Sequence, residues 1–410
     1  MLKPKILLLH YDLNPHGGGN GVAVWTLQAL VERYDVGVLL WQVPDWDSVN
    51  RFFGTHVDEN HVSVYQLPVS TRRWIGRIPG NHALLGLSAM ARYSRRLQKK
   101  HGYHLVISTA NEVDFGSRGI QYIHFPAAQL PRPDLELRWY HQIWGVMSAY
   151  RMLCRWVEGR RTERVRGNLT LCNSDYIGRM FQSLYKSTVQ TLYPPVHGNF
   201  PHIPWDQRQN GFVCISRISP EKALVEIITT VEQVRDKGWD IKLHVVGTAG
   251  PGKYADSIRG LVHKHTSWIR LHEGLTRQEL VQLVATQRYG IHAMRGEHFG
   301  MAVAEMQRAG CITFAHNSGG PVEILAGDER LLYDDPAQAV VKIDAVLSDD
   351  ASQRMLNQQA LERGGHFSAD SFMCGMRAAV QQCLREENKP MAINTAPTDT
   401  AQSIEPDVNV

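Results

Sequence analysis

The feature that most constrains the fold of this sequence is a repeated alternation of short β-rich runs with longer amphipathic stretches. In the first half, the apolar runs are Lys5 to His10, Val36 to Trp41, Leu105 to Ser108, Ile120 to His124 and Leu169 to Cys172. A helical pattern from Gly21 to Arg33 follows the first of them. Such alternation predicts an α/β domain with a mostly parallel, doubly wound sheet.

The alternation restarts after Tyr193-Pro194-Pro195-Val196, a stiff stretch that disfavours helix and is interpreted as a hinge. The second set comprises strands Phe212 to Ser216, Ile241 to Val246, Trp268 to Leu271, Tyr289 to Ala293 and Cys311 to Ala315, and helices Glu221 to Lys237 and Arg277 to Ala285. We therefore expect Rossmann-like domains over residues 1–195 and 196–367, a C-terminal helix over 368–387 and a disordered polar tail over 388–410.

Composition places the chain among ordinary globular proteins. Its 410 residues are 43% hydrophobic and carry a net charge of +4, which neither favours nor excludes a polyanionic partner. Its six cysteines form no C-x-x-C pair and are interpreted as small buried hydrophobes in a reducing compartment. The apolar run near the N-terminus is too short for a signal peptide, so we expect a cytoplasmic protein.

The strongest motif runs from Arg295 to Glu305, Arg-Gly-Glu-His-Phe-Gly-Met-Ala-Val-Ala-Glu, between a predicted strand and a predicted helix. A glycine at such a turn lets the free N–H groups of the helix face a diphosphate, and the positive end of the helix dipole adds to the attraction. Glu297 and Glu305 are placed to contact different parts of one long ligand, because carboxylates accept hydrogen bonds from sugar hydroxyls.

A second motif, Ser216-Arg-Ile-Ser-Pro-Glu-Lys222, combines a strand end, a turn and a helix start. Arg217 and Lys222 would project from the carboxyl edge of the sheet, where α/β folds bind ligands. There they would neutralise a leaving diphosphate without a metal ion.

A glycine loop, His16 to Gly21, joins the first strand to the first helix. Glycine permits close approach of the backbone to a phosphate, although the loop is not a dinucleotide-binding fingerprint and also fits a flexible turn. The run His316 to Pro321 is interpreted as a turn and helix cap whose glycines line the donor pocket.

Together these residues resemble the signature of glycosyltransferase family 4, two glutamates separated by seven residues with an upstream arginine and lysine. Four further runs are similar to the α-1,2-mannosyltransferases that extend lipid-linked oligosaccharides: Tyr122-Ile-His-Phe-Pro126, Leu192-Tyr-Pro-Pro-Val196, His298-Phe-Gly-Met301 and Ala315-His-Asn-Ser-Gly-Gly-Pro321. The resemblance implies a retaining enzyme of the GT-B fold, with two Rossmann-like domains facing across a cleft and the C-terminal helix packing back on the first.

The resemblance also implies roles for individual residues. Glu305 would hold the ribose, Glu297 the hydroxyls of the transferred sugar, and Arg217 and Lys222 the diphosphate. His124 would lie beside the reacting sugar as a positioning or hydrogen-bonding group. The remaining donor contacts would come from the backbone at Gly18, Gly19, Phe299, Gly300 and Met301.

The expected activity is transfer of a hexose, mannose or glucose, from GDP-mannose or UDP-glucose to a saccharide or lipid-linked acceptor. The nucleotide sugar is a substrate, and no cofactor and no metal ion are expected. The alternatives are a nucleotide-sugar epimerase of the same fold and an inactive scaffold. Asp45-Trp46-Asp47 resembles a metal-binding D-x-D pair but follows the second strand and is interpreted as a polar loop.

Two basic stretches remain. No acidic residue occurs between Asn60 and Asn111, and the basic 72–100 segment places Arg92, Arg95, Arg96 and Lys99 on one helical face. This pattern fits a solvated face or peripheral contact with a membrane surface, beside an apolar strip of Leu84, Leu87 and Ala91 with Trp74 and Ile75 nearby. The aromatic and basic stretch Trp139 to Arg166 is interpreted as acceptor binding or core packing, and no nucleic-acid partner is expected.

Overall fold

The computed structural model describes residues 3–14, 17–78, 83–130, 146–248, 250 and 252–387. Its first sheet has seven parallel strands in the order β3-β2-β1-β4-β5-β6-β7. They are β1 (Lys5–Leu9), β2 (Asp35–Leu39), β3 (Val62–Tyr65), β4 (Leu105–Ser108), β5 (Ile120–Ile123), β6 (Leu169–Cys172) and β7 (Gln190–Thr191). The central strands are buried on both faces, which is why they read as continuous apolar runs.

The described helices of the first half of the chain are α1 (Gly18–Leu30), α2 (Trp46–Phe53), α3 (Val69–Gly76), α4 (Ala83–His101), α5 (Val146–Glu158), α6 (Thr162–Arg166) and α7 (Asp175–Tyr185). Helix α1 begins three residues before the predicted start, so part of the glycine loop forms its first turn. Asp45 accepts a hydrogen bond from Ser48 N and caps α2. The interpretation of Asp45-Trp46-Asp47 as a polar loop is therefore wrong for Trp46 and Asp47, which form the first turn of this helix with Trp46 buried.

The second sheet has six strands in the order β10-β9-β8-β11-β12-β13. They are β8 (Gln209–Ile215), β9 (Lys242–Val246), β10 (Ile269–His272), β11 (Gln287–His292), β12 (Ile312–His316) and β13 (Leu332–Tyr333). Its helices are α8 (Leu224–Asp236), α9 (Lys253–Lys264), α10 (Arg277–Thr286), α11 (Met301–Arg308), α12 (Pro321–Ile324), α13 (Pro336–Leu347) and α14 (Asp350–Gly364). The last element of the described residues is α15 (Ala369–Glu387).

The predicted helix Glu221 to Lys237 is wrong as one unbroken element. Pro220–Lys222 form a short 3-10 turn, and Ala223 takes the left-handed conformation at φ 50° before α8 begins. This break separates Lys222 from the helix. Its side chain is therefore carried by a turn at the edge of the sheet.

Both sheets are doubly wound, and each has a point where the strand order reverses. In the first sheet β1 lies between β2 and β4, and in the second β8 lies between β9 and β11. Ligands of such sheets bind in the crevice outside the carboxyl ends of the strands at this point. The loops after β1, β4, β8 and β11 are therefore the ones placed to form a site, and the loop after β5 lies next to them.

Helix α15 returns to the first domain, as the sequence led us to expect. Phe372, Met376 and Val380 are buried in the same hydrophobic core as α1 and the first sheet. Arg377 Nε donates to Ala29 O at 2.7 Å. The linker runs beside the start of this helix, because Val196 N donates to Phe367 O at 2.9 Å. The domain boundary at residue 195 stays a prediction.

The interpretation of all six cysteines as buried is wrong for Cys374, which is exposed on α15, while the other five are buried. Within the described parts of the chain, no helix combines the length and hydropathy that crossing a bilayer requires. The predicted tail over 388–410 lies outside the described residues.

Candidate functional site

The loop between β11 and α11 carries the strongest sequence motif and is called the donor loop, residues 293–300. Gly300 ends it at φ 104°, a left-handed conformation that favours glycine, and α11 begins at the next residue. The turn 316–320 braces the loop from outside. Gly320 N donates to Glu297 O, and Gly296 N donates to Ser318 Oγ, both at 2.8 Å.

Gly319 makes this bracing possible. It has φ +76°, and a Cβ atom added there would overlap the carbonyl oxygen of Glu297. A residue with a side chain would push the two loops apart. The glycines of this run therefore support the donor loop from behind, and a direct contact with donor stays a prediction.

Glu297 lies at the centre of the site in an ion pair with Lys222. The Lys222 Nζ and Glu297 Oε2 atoms are 2.5 Å apart, and the two side chains are 14% and 17% exposed. His292 Nε2, at the end of β11, lies 3.4 Å from the same carboxylate oxygen. Burial alone would raise the pKa of Glu297, but the adjacent His292 ring and the charge of Lys222 outweigh it and hold that pKa well below its usual range. Glu297 is therefore ionised at neutral pH.

Arg217 and Lys222 share a loop but have different surroundings. Lys222 Nζ also contacts Met294 Sδ at 3.0 Å, so its ammonium is directed at the donor loop. Arg217 is 70% exposed and donates to Glu221 Oε1 at 3.2 Å. Gly247, at the end of β9, lies so close to Ser216 O that a Cβ atom there would overlap it. This contact fixes the start of the loop at the sheet edge.

Glu305 is buried on α11 and forms an ion pair with Arg277, the first residue of α10. The same guanidinium donates to His197 O in the linker between the domains. Sequence reasoning missed Arg277, because its position in a helix-start pattern, Thr276 to Glu279, gives no signal of a functional role.

The N-terminus of α1 faces the donor loop from the first domain. A Cβ atom added at Gly18 would lie 3.3 Å from Met301 Cγ, and one added at Gly19 would lie 3.8 Å from the ring of His124. His10 supports this turn, with Nε2 3.0 Å from Asn20 Oδ1. Two helix N-termini, those of α1 and α11, thus approach each other across the cleft. His16 of the predicted loop lies outside the described residues.

His124 follows β5 and is held in one orientation. Its Nε2 donates to Thr109 O at 3.1 Å, and its backbone N donates to Asn111 Oδ1 at 2.8 Å. Burial, together with the nearby His10, lowers the pKa of His124 to about 4. The ring is therefore neutral at pH 7 and, with its proton on Nε2, presents Nδ1 as an acceptor.

Contacts between the domains surround the donor loop. Ser174 Oγ, which caps α7, donates to His298 O at 2.6 Å. The ring of His298 stacks on Phe125 of the first domain, with centroids 4.6 Å apart. Glu323 of α12 accepts a hydrogen bond from Asp175 N at 2.8 Å. The Ser174 hydrogen bond and the Phe125 ring therefore hold the loop that carries Glu297 against the first domain, and Glu323 holds α12 against α7.

The sequence predicted site roles for Glu297, Lys222, Gly18, Gly19, His124, Gly300 and Met301. The structure pairs Lys222 with Glu297 and places Gly18 beside Met301, Gly19 beside His124 and Gly300 at the end of the donor loop. Phe299 is buried behind the loop, where it stacks on Tyr193 at 5.7 Å, so only its backbone is placed to meet a ligand. His292, Ser174 and Glu323 were missed. Of these three residues, only His292 could have been predicted from the sequence, because it lies at the end of a strand just before the Arg295 to Glu305 motif.

The two basic stretches have partly structural roles. Arg95 donates to Asp114 O through Nε at 3.0 Å, and Ala91 and Ile75 of the expected apolar strip are buried in the first domain. In the second stretch, Arg160 is buried between Glu112 and Glu158. Trp139, Tyr140 and Trp144 lie outside the described residues. Among the described residues, no group of three or more histidine, cysteine, aspartate or glutamate side chains is placed to hold a metal ion.

Comparison with known proteins finds similarity to glycosyltransferases, and the matching family model covers part of the second half of the chain. Residues 199–363 match the family model of Glycosyl transferases group 1. A GDP-Man:Man(3)GlcNAc(2)-PP-Dol alpha-1,2-mannosyltransferase of Xenopus laevis is 33% identical over 246 residues, 53% of this chain and 49% of the relative. The enzyme of the same name from Dictyostelium discoideum is 24% identical over 250 residues, 54% of this chain and 49% of the relative. The chain thus spans about half the length of these curated relatives.

Solved structures show the fold. Sucrose-phosphate synthase from Thermosynechococcus elongatus superposes with a TM-score of 0.66 at 14% identity, covering 94% of this chain and 100% of that one. Anabaena HepE in complex with UDP and glucose gives 0.62 at 15% identity, covering 92% and 100%. The predicted GT-B fold and the resemblance to glycosyltransferases are confirmed. The roles of the individual site residues stay predictions.

The buried ion pair predicts a specific pattern of stability. Lys222→Met should lower the free energy of unfolding by roughly 3 to 5 kcal/mol, because it leaves the Glu297 carboxylate buried without its cation. Adding Glu297→Gln should recover part of this loss, since a neutral amide costs less to bury. Urea unfolding of both variants measures the effect, with Arg217→Gln on the exposed neighbour as control. A double variant less stable than Lys222→Met would contradict the pairing.

The environment of His124 predicts an unusual titration. Because the folded-state pKa of about 4 lies below the ordinary value of 6.5, the neutral ring stabilises the fold at pH 7. That contribution is lost as the pH falls from 6.5 toward 4. NMR of the imidazole signals, assigned with His124→Gln, should show a midpoint near pH 4. A midpoint near 6.5 would mean that the ring is open to water.

Proposed function

We propose that this chain is a retaining, metal-independent glycosyltransferase that moves a sugar from a nucleotide diphosphate donor to an acceptor in the interdomain cleft. The observation that carries this proposal is the Lys222–Glu297 ion pair, at 2.5 Å, beside the point where Gly18 and Met301 meet across the cleft. The curated relatives are named for GDP-Man and the neighbour HepE was solved with UDP and glucose, so GDP-mannose and UDP-glucose are the donors to test first.

The diphosphate would lie between the two helix N-termini. Free N–H groups at Gly18 and Gly19 and at the start of α11 point toward an anion there, and both helix dipoles favour it. Lys222 adds a positive charge that is already directed at the donor loop. Arg217, exposed at the same edge, is free to turn toward the phosphates.

Glu297 and His124 would orient the sugar, and Glu305 the ribose. Glu297 is ionised and therefore accepts hydrogen bonds from sugar hydroxyls, while the neutral His124 accepts at Nδ1. In the transfer step an acceptor hydroxyl attacks the anomeric carbon as the bond from that carbon to the β-phosphate oxygen breaks. The acceptor proton passes to the departing diphosphate on the same face, which retains the configuration.

Catalysis would come from positioning and from stabilising the negative charge of the leaving diphosphate. Ser174 holds the donor loop, and Glu323 holds α12, against the first domain. These contacts would exclude water from the activated donor. The acceptor, a saccharide or a lipid-linked saccharide in glycoconjugate assembly, would bind from the side of the first domain. No cofactor is required.

A donor screen tests the proposal. GDP-, UDP- and ADP-sugars are added to the purified chain with EDTA present, and thermal stability is measured for wild type and Glu305→Ala. One nucleotide sugar should raise the melting temperature by several degrees, and the variant should lose that rise. Stabilisation that requires a divalent ion would contradict metal independence. Conversion of the donor without acceptor would indicate an epimerase, and no stabilisation by any donor would favour a scaffold.

We also propose a cytoplasmic enzyme that contacts a membrane surface through the basic 72–100 segment. Arg92 and Arg96 of α4 are exposed, and Trp74 of α3 is 61% exposed in the same segment. Part of the expected apolar strip is buried, but α5, which packs on α4, exposes Met152 (68%) and Trp156 (74%). Basic residues beside exposed aromatic ones suit an anionic lipid interface.

Vesicle sedimentation tests this contact directly. The chain should bind vesicles containing phosphatidylglycerol and not pure phosphatidylcholine. Arg92→Gln with Arg96→Gln should weaken binding several-fold, because each basic residue near an anionic surface contributes about 1 kcal/mol. Trp156→Ser serves as the matched test of the apolar contact. Equal binding to both vesicle types, or none, would contradict the proposal.

A further inference from the structure

Two arginines lie over the Phe200 ring in the second domain. The Cζ atoms of Arg277 and Arg308 are 5.7 and 5.2 Å from the ring centroid. Each donates to a carbonyl of the interdomain linker, Arg277 to His197 O and Arg308 to Val196 O. Among the ion pairs of the described residues, Glu305 is joined to Arg277 and not to Arg308.

We infer that Arg277 is a positioning residue that fixes the Glu305 carboxylate for the donor nucleotide and ties it to the linker between the domains. This inference rests on the proposed function, in which Glu305 holds the ribose. It assigns to Arg277 an indirect role, since the guanidinium acts through Glu305.

The ion pair between Glu305 and Arg277 is largely shielded from water. The side chains of Glu305 and Arg277 are 12% and 21% exposed, so the carboxylate has little water to solvate it. A buried carboxylate that loses its cationic partner turns away to find another one. That change would remove the acceptor that a ribose needs, so Arg277 keeps the Glu305 carboxylate in place.

The hydrogen bonds of Arg277 also fix the orientation of the Glu305 carboxylate. Arg277 meets Oε1 of Glu305 through Nη1, and among the described residues no donor is bonded to Oε2. The planar guanidinium fixes the carboxylate plane while its other arm, Nη2, reaches His197 O. Oε2 is thereby directed to accept from a ligand hydroxyl. A lysine would keep the charge and lose this two-armed hold.

Contacts of the linker residue His197 connect the Glu305–Arg277 pair to the first domain. The residue whose carbonyl Arg277 binds, His197, donates from Nε2 to Phe52 O at the end of α2, at 3.1 Å. Its ring also lies against that of Phe53, with centroids 6.1 Å apart. A continuous series of contacts therefore joins Glu305 to the first domain. Filling the ribose site should favour the domain arrangement in which these contacts are made.

The matched variants are Arg277→Lys and Arg308→Lys, since both arginines contact Phe200 and a linker carbonyl and only Arg277 touches Glu305. Calorimetry measures the affinity for GDP and UDP. Arg277→Lys should weaken binding of the preferred nucleotide about tenfold, and Arg308→Lys less than twofold. In Glu305→Ala, adding Arg277→Lys should change the affinity no further. Donor KM should rise for Arg277→Lys while acceptor KM stays constant.

Equal losses for the two lysine variants would overturn the inference, because they would show that only the packing of the linker matters. Unchanged affinity in Arg277→Lys, or an additive loss in the Glu305→Ala background, would overturn it as well. Melting temperatures check that both lysine variants are folded to the same extent. A wild-type chain that binds neither nucleotide would instead contradict the proposed function. The two failures are distinguishable, because this one is seen with the wild-type chain before any substitution is made.

Discussion

The buried ion pair between Lys222 and Glu297 is the interaction on which the rest of the site depends. Its members come from two different loops, one after β8 and one after β11, and these strands are neighbours in the sheet. Removing two charges from water is costly, so the pair persists only where backbone and side-chain contacts fix both loops. The 3-10 turn that carries Lys222 and the bracing of the donor loop by Ser318 and Gly320 supply that fixation.

The site is completed by the other domain. Ser174 and Glu323 join the domains through backbone groups, Ser174 on the donor loop and Glu323 at the N-terminus of α7, and the stacked rings of Phe125 and His298 add an apolar contact. These contacts place the N-terminus of α1 opposite that of α11. An arrangement of two helix N-termini and a lysine attracts a diphosphate, and it exists only while the domains are together.

Much of the fold follows from the sequence, since strands buried on both faces leave continuous apolar runs and the motifs follow strand ends. The short edge strands, such as β7 (Gln190–Thr191), gave no such run. The break at Ala223 was unpredictable because a left-handed alanine has no sequence signal. The partners of the site residues were also hidden, because the pairing of Arg277 with Glu305 depends on how two helices approach and not on local pattern.

The central claim is that the cleft between α1 and α11 binds a nucleotide diphosphate through Lys222 and Glu305. The most direct measurement is a crystal structure of the chain with the nucleoside diphosphate that binds it best. The account predicts phosphate oxygens within about 3 Å of Lys222 Nζ and of the first N–H groups of α11, and ribose hydroxyls on Glu305. A nucleotide bound elsewhere, with Lys222 still paired only to Glu297 and with Glu305 untouched, would contradict it.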